Sequence, residues 1–313
     1  MVSHSSTPRS QLRKLERLGS ARRAGRERDA SRAPAQVAHM TYPRRVFIAS
    51  SWSGAPARNP PSGWVRICSI RMPVLSASKD AFGRALLDHL ERRPGPQLML
   101  ERDDGSIGPA DLQPEEFFLP HEAWPKWEQH ALGLATGAVL DLGAGAGRHS
   151  IHLQDSGHEV TAVDSSPGAI AVCRARGIRD VRLADLTTLR SNHRWETLLL
   201  MCGNLGLAGD WGPTRQLLRR LGAMTVPGGV LIGDSVDPDD PDDLEYQERN
   251  RRAGFHRGRV RLRLHYGELV TPWWTLLNLP PADVEALVDG TGWRLQEHLT
   301  EGDDHLVVLS RQS

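Results

Sequence analysis

The run "VLDLGAGAGRHS", residues 139–150, sets three glycines within five positions directly behind an apolar tetrapeptide. Val139-Leu140-Asp141-Leu142 reads as a buried parallel strand, and the segment after Gly147 reads as the start of a helix. A turn made of Gly143, Gly145 and Gly147 exposes backbone N–H groups and lets a ligand approach the main chain, because no Cβ intrudes. A ligand with an anionic or zwitterionic end suits such a turn. The alternative is a tight strand-to-helix connection that binds nothing.

From residue 137 onward the chain alternates. Strands are expected at 137–142, 158–163, 179–183, 197–202 and 229–234, with helices at 147–155, 167–176 and 213–223. That order predicts an α/β fold with a doubly wound, mostly parallel sheet. A helix near 281–289 precedes "WRLQEHL" and "HLVVLSR", two strands joined by the short "TEGDD" turn, so the chain closes on an antiparallel hairpin. Upstream, "SKDAFGRALLDHLE" places Phe82, Ala85, Leu86 and Leu90 on one helical face behind a capping serine. "QLMLERDDGSI" suggests a strand and an Asp-Gly turn. Residues 72–135 are read as an N-terminal extension or lid, 136–313 as the principal domain, and about 236–276 as an insertion in it.

Charge divides the chain. Residues 1–71 hold 14 of the 39 Arg and Lys but 3 of the 38 Asp and Glu, so this tail carries +11 and the remainder −10. The tail is rich in Arg, Ser, Ala and Pro without a sustained period, and is expected to be disordered. It reads as a nucleic-acid-binding arm, a targeting peptide, or upstream sequence translated from a start set too early. Met72, followed at once by well-patterned sequence, favours the last. The acidic remainder argues against a phosphate backbone as partner for the core. Cys68, Cys173 and Cys202 form no CxxC pair and fit a reducing compartment. With no apolar run long enough for a membrane span and no secretory h-region, a cytoplasmic location is expected.

Ligands of doubly wound sheets bind at the carboxyl ends of the central strands. Asp141 lies at the end of the first strand. Asp164 ends the second, where a carboxylate accepts from ribose hydroxyls. Asp185 follows the third, placed to accept from an adenine amino group. The ordered set "VLDLGAGAGRHS … EVTAVDSSPGAI … RLADLTTL … TLLLMCGNLGLAG … VPGGVLIGDS" resembles the class I S-adenosylmethionine-dependent methyltransferases over about residues 80–313. The resemblance implies a Rossmann-like seven-stranded sheet with a terminal antiparallel strand and S-adenosyl-L-methionine as cofactor. It also implies a cofactor site of Asp141, Gly143, Ala144, Gly145, Gly147, Asp164, Ser165, Asp185, Leu186 and Asn204, with Leu205 beside Asn204 at the methyl end. The runner-up is a nicotinamide-dependent oxidoreductase. Its GxGxxG fingerprint wants Gly or Ala where Arg148 or Ser150 stands. A catalytically silent cofactor-binding protein is the remaining alternative.

The expected reaction is methyl transfer to a small-molecule acceptor by in-line displacement, needing positioning above all. His149 is the nearest candidate for a general base, against a reading as a solvated or capping-region histidine; no catalytic residue is assigned. Arg148 either faces the cofactor's carboxylate or decorates the helix. Trp273 and Trp274 are candidates to wall the acceptor. Cys202 is expected to be a small buried core residue. "RVRLRL", residues 259–264, predicts a strand with one apolar and one basic face, the basic one meeting a substrate anion, solvent, or the acidic loop "DPDDPDDLE". That loop lacks the spacing of a calcium site, and His149 with His152 lacks a third ligand, so no metal is expected. The acceptor atom and the oligomeric state are not legible.

Overall fold

The computed structural model describes residues 73–238, 243–302 and 304–312, all within the compact unit Arg45–Ser313. The expected disordered tail, 1–71, lies outside the described residues.

The N-terminal part holds helix α1 (Ala81–Leu90), the hairpin strands β1 (Met99–Arg102) and β2 (Ile107–Pro109), and helix α2 (Lys126–Gly133). The alternating part follows as β3 (Val139–Leu142), α3 (Arg148–Asp155), β4 (Val160–Asp164), α4 (Pro167–Ala175), β5 (Asp180–Leu183) and β6 (Trp195–Leu200). It continues with α5 (Trp211–Ala223) and β7 (Thr225–Val236). An inserted segment supplies α6 (Leu244–Arg252), β8 (Arg259–Tyr266), β9 (Leu269–Val270) and β10 (Trp274–Leu277). The chain ends with α7 (Val284–Val288) and the strands β11 (Trp293–Glu301) and β12 (Asp304–Arg311).

Seven strands form the central sheet in the order β11-β12-β7-β6-β3-β4-β5. The pairs from β7 to β5 are parallel, and β12 runs antiparallel between β7 and β11. The sheet is therefore mixed but mostly parallel. Its central strands β3, β4 and β6 read as mostly apolar runs because both faces are covered. Leu140, Leu198, Leu231 and Leu309 pack toward α5 and α7, whereas Val139, Leu199, Ile232 and Val308 pack toward α2 and α3. Successive residues of one strand thus enter opposite cores, and each fully buried leucine contributes about 1.5–3 kcal/mol.

The expected lid is something more specific. β1 and β2 of the N-terminal part join β8, β9 and β10 of the insertion in one antiparallel sheet, with β1 against β8 and β8 against β10. The extension and the insertion are thus one layer, which the sequence pattern treated as two separate segments. The serine expected to cap α1 is also corrected. Ser78 lies in a short 3-10 turn, Ala77–Lys79, and the cap is Asp80, whose carboxylate accepts the Gly83 N–H at 2.9 Å. A carboxylate fits there because a helix N-terminus presents unpaired donors and the positive end of its dipole.

Candidate functional site

A cavity of about 390 Å³ opens between the carboxyl ends of the central strands and the antiparallel sheet. Seven of the ten expected cofactor-site residues line it: Gly143, Ala144, Gly145, Asp164, Ser165, Leu186 and Asn204. His149, Trp273 and Trp274 line it as well.

The Gly turn has the geometry its composition requires. Gly143 and Gly145 take φ of +84° and +56°, values that residues with a Cβ adopt at a cost. A Cβ on Gly143 would overlap the Asn204 amide, which donates to the carbonyls of Leu142 (3.3 Å) and Gly143 (3.4 Å). Gly145 lies beneath an edge-to-face aromatic pair, Phe82 on α1 and Phe117, whose ring centroids are 5.2 Å apart. Arg176 fastens that arrangement by donating to the carbonyls of Ala146 (2.7 Å) and Phe117 (3.3 Å).

Asp164 ends β4 against the turn. It is 7% exposed; Oδ2 accepts the Gly145 N–H at 2.9 Å and Oδ1 the Ser166 N–H at 2.8 Å. Burial raises its pKa to about 6; the two N–H donors oppose the rise, and the neighbouring acids Asp80 and Asp141 add to it.

Three expected residues do not line the cavity. Asp141 is buried within β3 behind the turn, where Oδ2 accepts the Ser150 hydroxyl at 2.6 Å, and burial raises its pKa. A strand residue pointing into the helix layer cannot also face the crevice beyond the strand tip. Gly147 takes φ +77° to start α3, and a Cβ there would strike Ile178, so its glycine answers to packing. Asp185 closes its own turn, with Oδ1 accepting the Thr187 N–H (2.8 Å) and hydroxyl (2.6 Å).

The solvated reading of His149 is also corrected, because the ring is 5% exposed. Its Nε2 lies 2.5 Å from Oε1 of Glu128 on α2, the same oxygen that pairs with Arg148. The Arg148 guanidinium sits 5.2 Å over the Trp124 ring and reaches the Glu116 carbonyl at 3.2 Å. Arg148 therefore joins the N-terminal part to α3 rather than decorating a surface. Nothing in the sequence marked Glu128, a lone acid in a short polar helix. Cys202, expected in the core, is half-buried at the cavity floor with φ +61°, and its Sγ lies 3.7 Å from Arg148.

On β8 the two faces separate as expected. Val260, Leu262 and Leu264 line the cavity, joined by Leu100 of β1 and by Trp274 and Leu276 of β10. Among the described residues the basic face does not line the cavity. Arg263 is paired bidentately with Glu101 (2.6 and 2.8 Å) and lies 4.5 Å over the Trp273 ring, and His265 shares Glu101 at 2.5 Å. The Arg263 guanidinium foremost, with the His265 hydrogen bond beside it, holds Glu101 below the usual carboxylate range. Of the acidic loop, 239–242 lie outside the described residues, and Asp243 pairs with Arg102 at 2.6 Å. Among the described residues no three His, Cys, Asp or Glu side chains converge on a metal-sized space; His152 stacks on His121 at 4.0 Å. Among them, too, no helix is long and apolar enough to cross a membrane.

A central sheet in which β12 runs antiparallel between β7 and β11, with a Gly turn and an acid at the tips of adjacent strands, departs from an all-parallel dinucleotide fold. Residues 139–229 match the family model described as a methyltransferase domain. A SAM-dependent methyltransferase from Bacteroides fragilis, solved in complex with S-adenosyl-L-homocysteine, is similar with a TM-score of 0.67 and 26% identity. The match covers 77% of this chain and 98% of that one. The CcbJ methyltransferase from Streptomyces caelestis shares the fold at a TM-score of 0.51 and 16% identity, covering 75% of this chain and 99% of its own. No curated protein matches the chain significantly. Residues 139–229 are a methyltransferase domain, and the protein is an S-adenosylmethionine-dependent methyltransferase with S-adenosylmethionine as cofactor.

Proposed function

We propose that the protein methylates a small-molecule acceptor by in-line displacement, within the cavity between the strand tips and the antiparallel sheet. When bound, S-adenosylmethionine supplies an electrophilic methyl group on a sulfonium. The observation that carries the reading is the continuity of one cavity from Gly143, Gly145 and Asp164 to the apolar face of β1, β8 and β10. A donor and an acceptor fit side by side in such a space.

The residues present suit the cofactor. The bare main chain of Gly143 to Gly145 would hold its amino-acid end, where a side chain would fill the cradle. Asp164 would accept from the ribose hydroxyls, Leu186 and Ser165 would flank the nucleoside, and Asn204 would stand near the methyl end. Asp185 would turn its second carboxylate oxygen to the adenine amino group. Holding acceptor and methyl carbon in line supplies about 7–11 kcal/mol to such a reaction. With Nε2 engaged by Glu128, His149 is proposed to position α3 rather than to act as base.

Isothermal calorimetry with S-adenosylhomocysteine tests the site. Asp164→Ala is expected to weaken binding by about 1.5–3 kcal/mol, the range for a hydrogen bond to a charged group. An unchanged dissociation constant would remove Asp164 from the site.

A further inference from the structure

The two ends of the cavity differ in chemistry. One presents Asp164 and the N–H groups of the Gly turn. The other is walled by Leu100, Val260, Leu262, Leu264, Trp274 and Leu276, six apolar side chains from three strands.

Charge at the apolar end is already matched within the protein. The Arg102 guanidinium meets Asp104 at 2.8 Å and Asp243 at 2.6 Å, and it lies 4.5 Å over the Tyr246 ring. Arg148 meets Glu128. Among the described residues, both arginines that line the cavity are thus paired within the protein.

Asn278, next after β10, breaks the apolar pattern. It is 9% exposed and lines the cavity. Its backbone N–H donates to the Gly258 carbonyl at 2.8 Å. Its side-chain amide has no hydrogen-bond partner among the described residues. The amide opens to the cavity, where solvent satisfies it until a ligand takes its place. Strand β10 needed only an apolar residue at this place. Among the described residues Asn278 presents a carboxamide on that wall that the fold's own hydrogen bonds do not use.

We propose that the apolar half is the acceptor subsite and that it selects a neutral, largely apolar molecule whose polar group is hydrogen-bonded by Asn278. The proposal rests on the methyl-transfer reading of the cavity. A carboxamide both donates and accepts, so it suits a hydroxyl, a phenol or a neutral amide. A carboxylate or phosphate would enter the apolar wall with no countercharge. A site that hydrogen-bonds its ligand also rejects the analogue lacking that group, because the protein amide is then left unpaired.

The test titrates the full chain, saturated with S-adenosylhomocysteine, with 2-naphthol, 2-methylnaphthalene and 2-naphthoate, following tryptophan fluorescence. The expected order is 2-naphthol about tenfold tighter than 2-methylnaphthalene, with 2-naphthoate weakest. Asn278→Leu should erase the gap between the first two while leaving S-adenosylhomocysteine affinity unchanged. Asn278→Ala, which cannot overfill the wall, repeats the comparison should the leucine variant not fold. With S-adenosylhomocysteine bound, three results overturn the proposal alone: 2-naphthol fails to bind, 2-naphthoate binds as tightly, or the gap survives in both variants. Failure of the wild type to bind S-adenosylhomocysteine overturns the cofactor reading, and this inference with it.

Discussion

Asp80 and Asp164 are held together by a single residue between them. Ser166 donates its backbone N–H to Asp164 at 2.8 Å and its hydroxyl to both carboxylate oxygens of Asp80 at 2.8 Å. Asp80 accepts in addition from the N–H groups of Gly83 on α1 and Gly168 on α4. One acid thus serves two helix N-termini, and their close crossing is possible because Gly83 and Gly168 carry no Cβ. The N-terminal part is anchored directly beside the acid proposed to grip the ribose.

Asp80→Ala removes the cap of α1 and the Gly168 contact at the start of α4, whose own cap, Ser166, remains. A lost cap costs about 0.5–2 kcal/mol, so the variant should unfold at a clearly lower urea concentration than the wild type with an unchanged slope. A midpoint equal to the wild type would show the shared cap to be energetically idle.

Asp164 connects acidity to both binding and stability, with opposite signs. Its pKa is raised to about 6 in the fold from an ordinary 3.8. The folded chain therefore holds this proton where the unfolded chain has lost it, and the group's contribution to stability declines as pH rises from about 4 to about 6. Binding runs the other way, because hydroxyl donors need the ionised carboxylate. S-adenosylhomocysteine affinity should fall as pH drops through 6, and Asp164→Asn should flatten that dependence. Calorimetry from pH 5 to 8 reads it directly.

Glu128→Ala strips the counterion from a buried guanidinium. Leaving one member of a buried ion pair uncompensated costs about 3–5 kcal/mol, so the variant should melt far below the wild type. The side chains at stake, Arg148 and His149, are both buried, which limits rescue by water.

Gly143→Ala forces a side chain onto φ +84° and against the Asn204 amide. The left-handed backbone alone costs about 1–2 kcal/mol. Both melting temperature and S-adenosylhomocysteine affinity should drop, because the cradle itself is filled. Gly105→Ala, also at positive φ but with open space around it, should lower stability and leave affinity intact.

The central sheet was legible because its strands are short apolar runs punctuated by turn glycines, a pattern set by local sequence. The place of Asp164 at the end of β4 was legible for the same reason: it ends such a run. Asp141 was placed in the crevice by its nearness to the Gly turn, but residue parity along a strand, not distance in sequence, decides which way a side chain points. Glu128, Asp80 and Asn278 were missed, since each takes its meaning from a partner, or the want of one, far away in the chain. The "RVRLRL" alternation announced two faces correctly. Which one met the cavity depended on Glu101, Trp273 and strand β1, none of them its neighbours in sequence.

Strand β8 finds its place only beside β1, and the Arg263–Glu101 pair that locks them spans 162 positions. Closing so long a loop is slow compared with forming neighbouring βα units. A nascent chain halted before residue 259 would already possess the Gly turn and Asp164, yet lack most of the greasy wall opposite. Recognition of the donor and recognition of the acceptor are therefore expected to mature at different moments of biosynthesis, the second only once the insertion has returned to clasp the beginning of the fold.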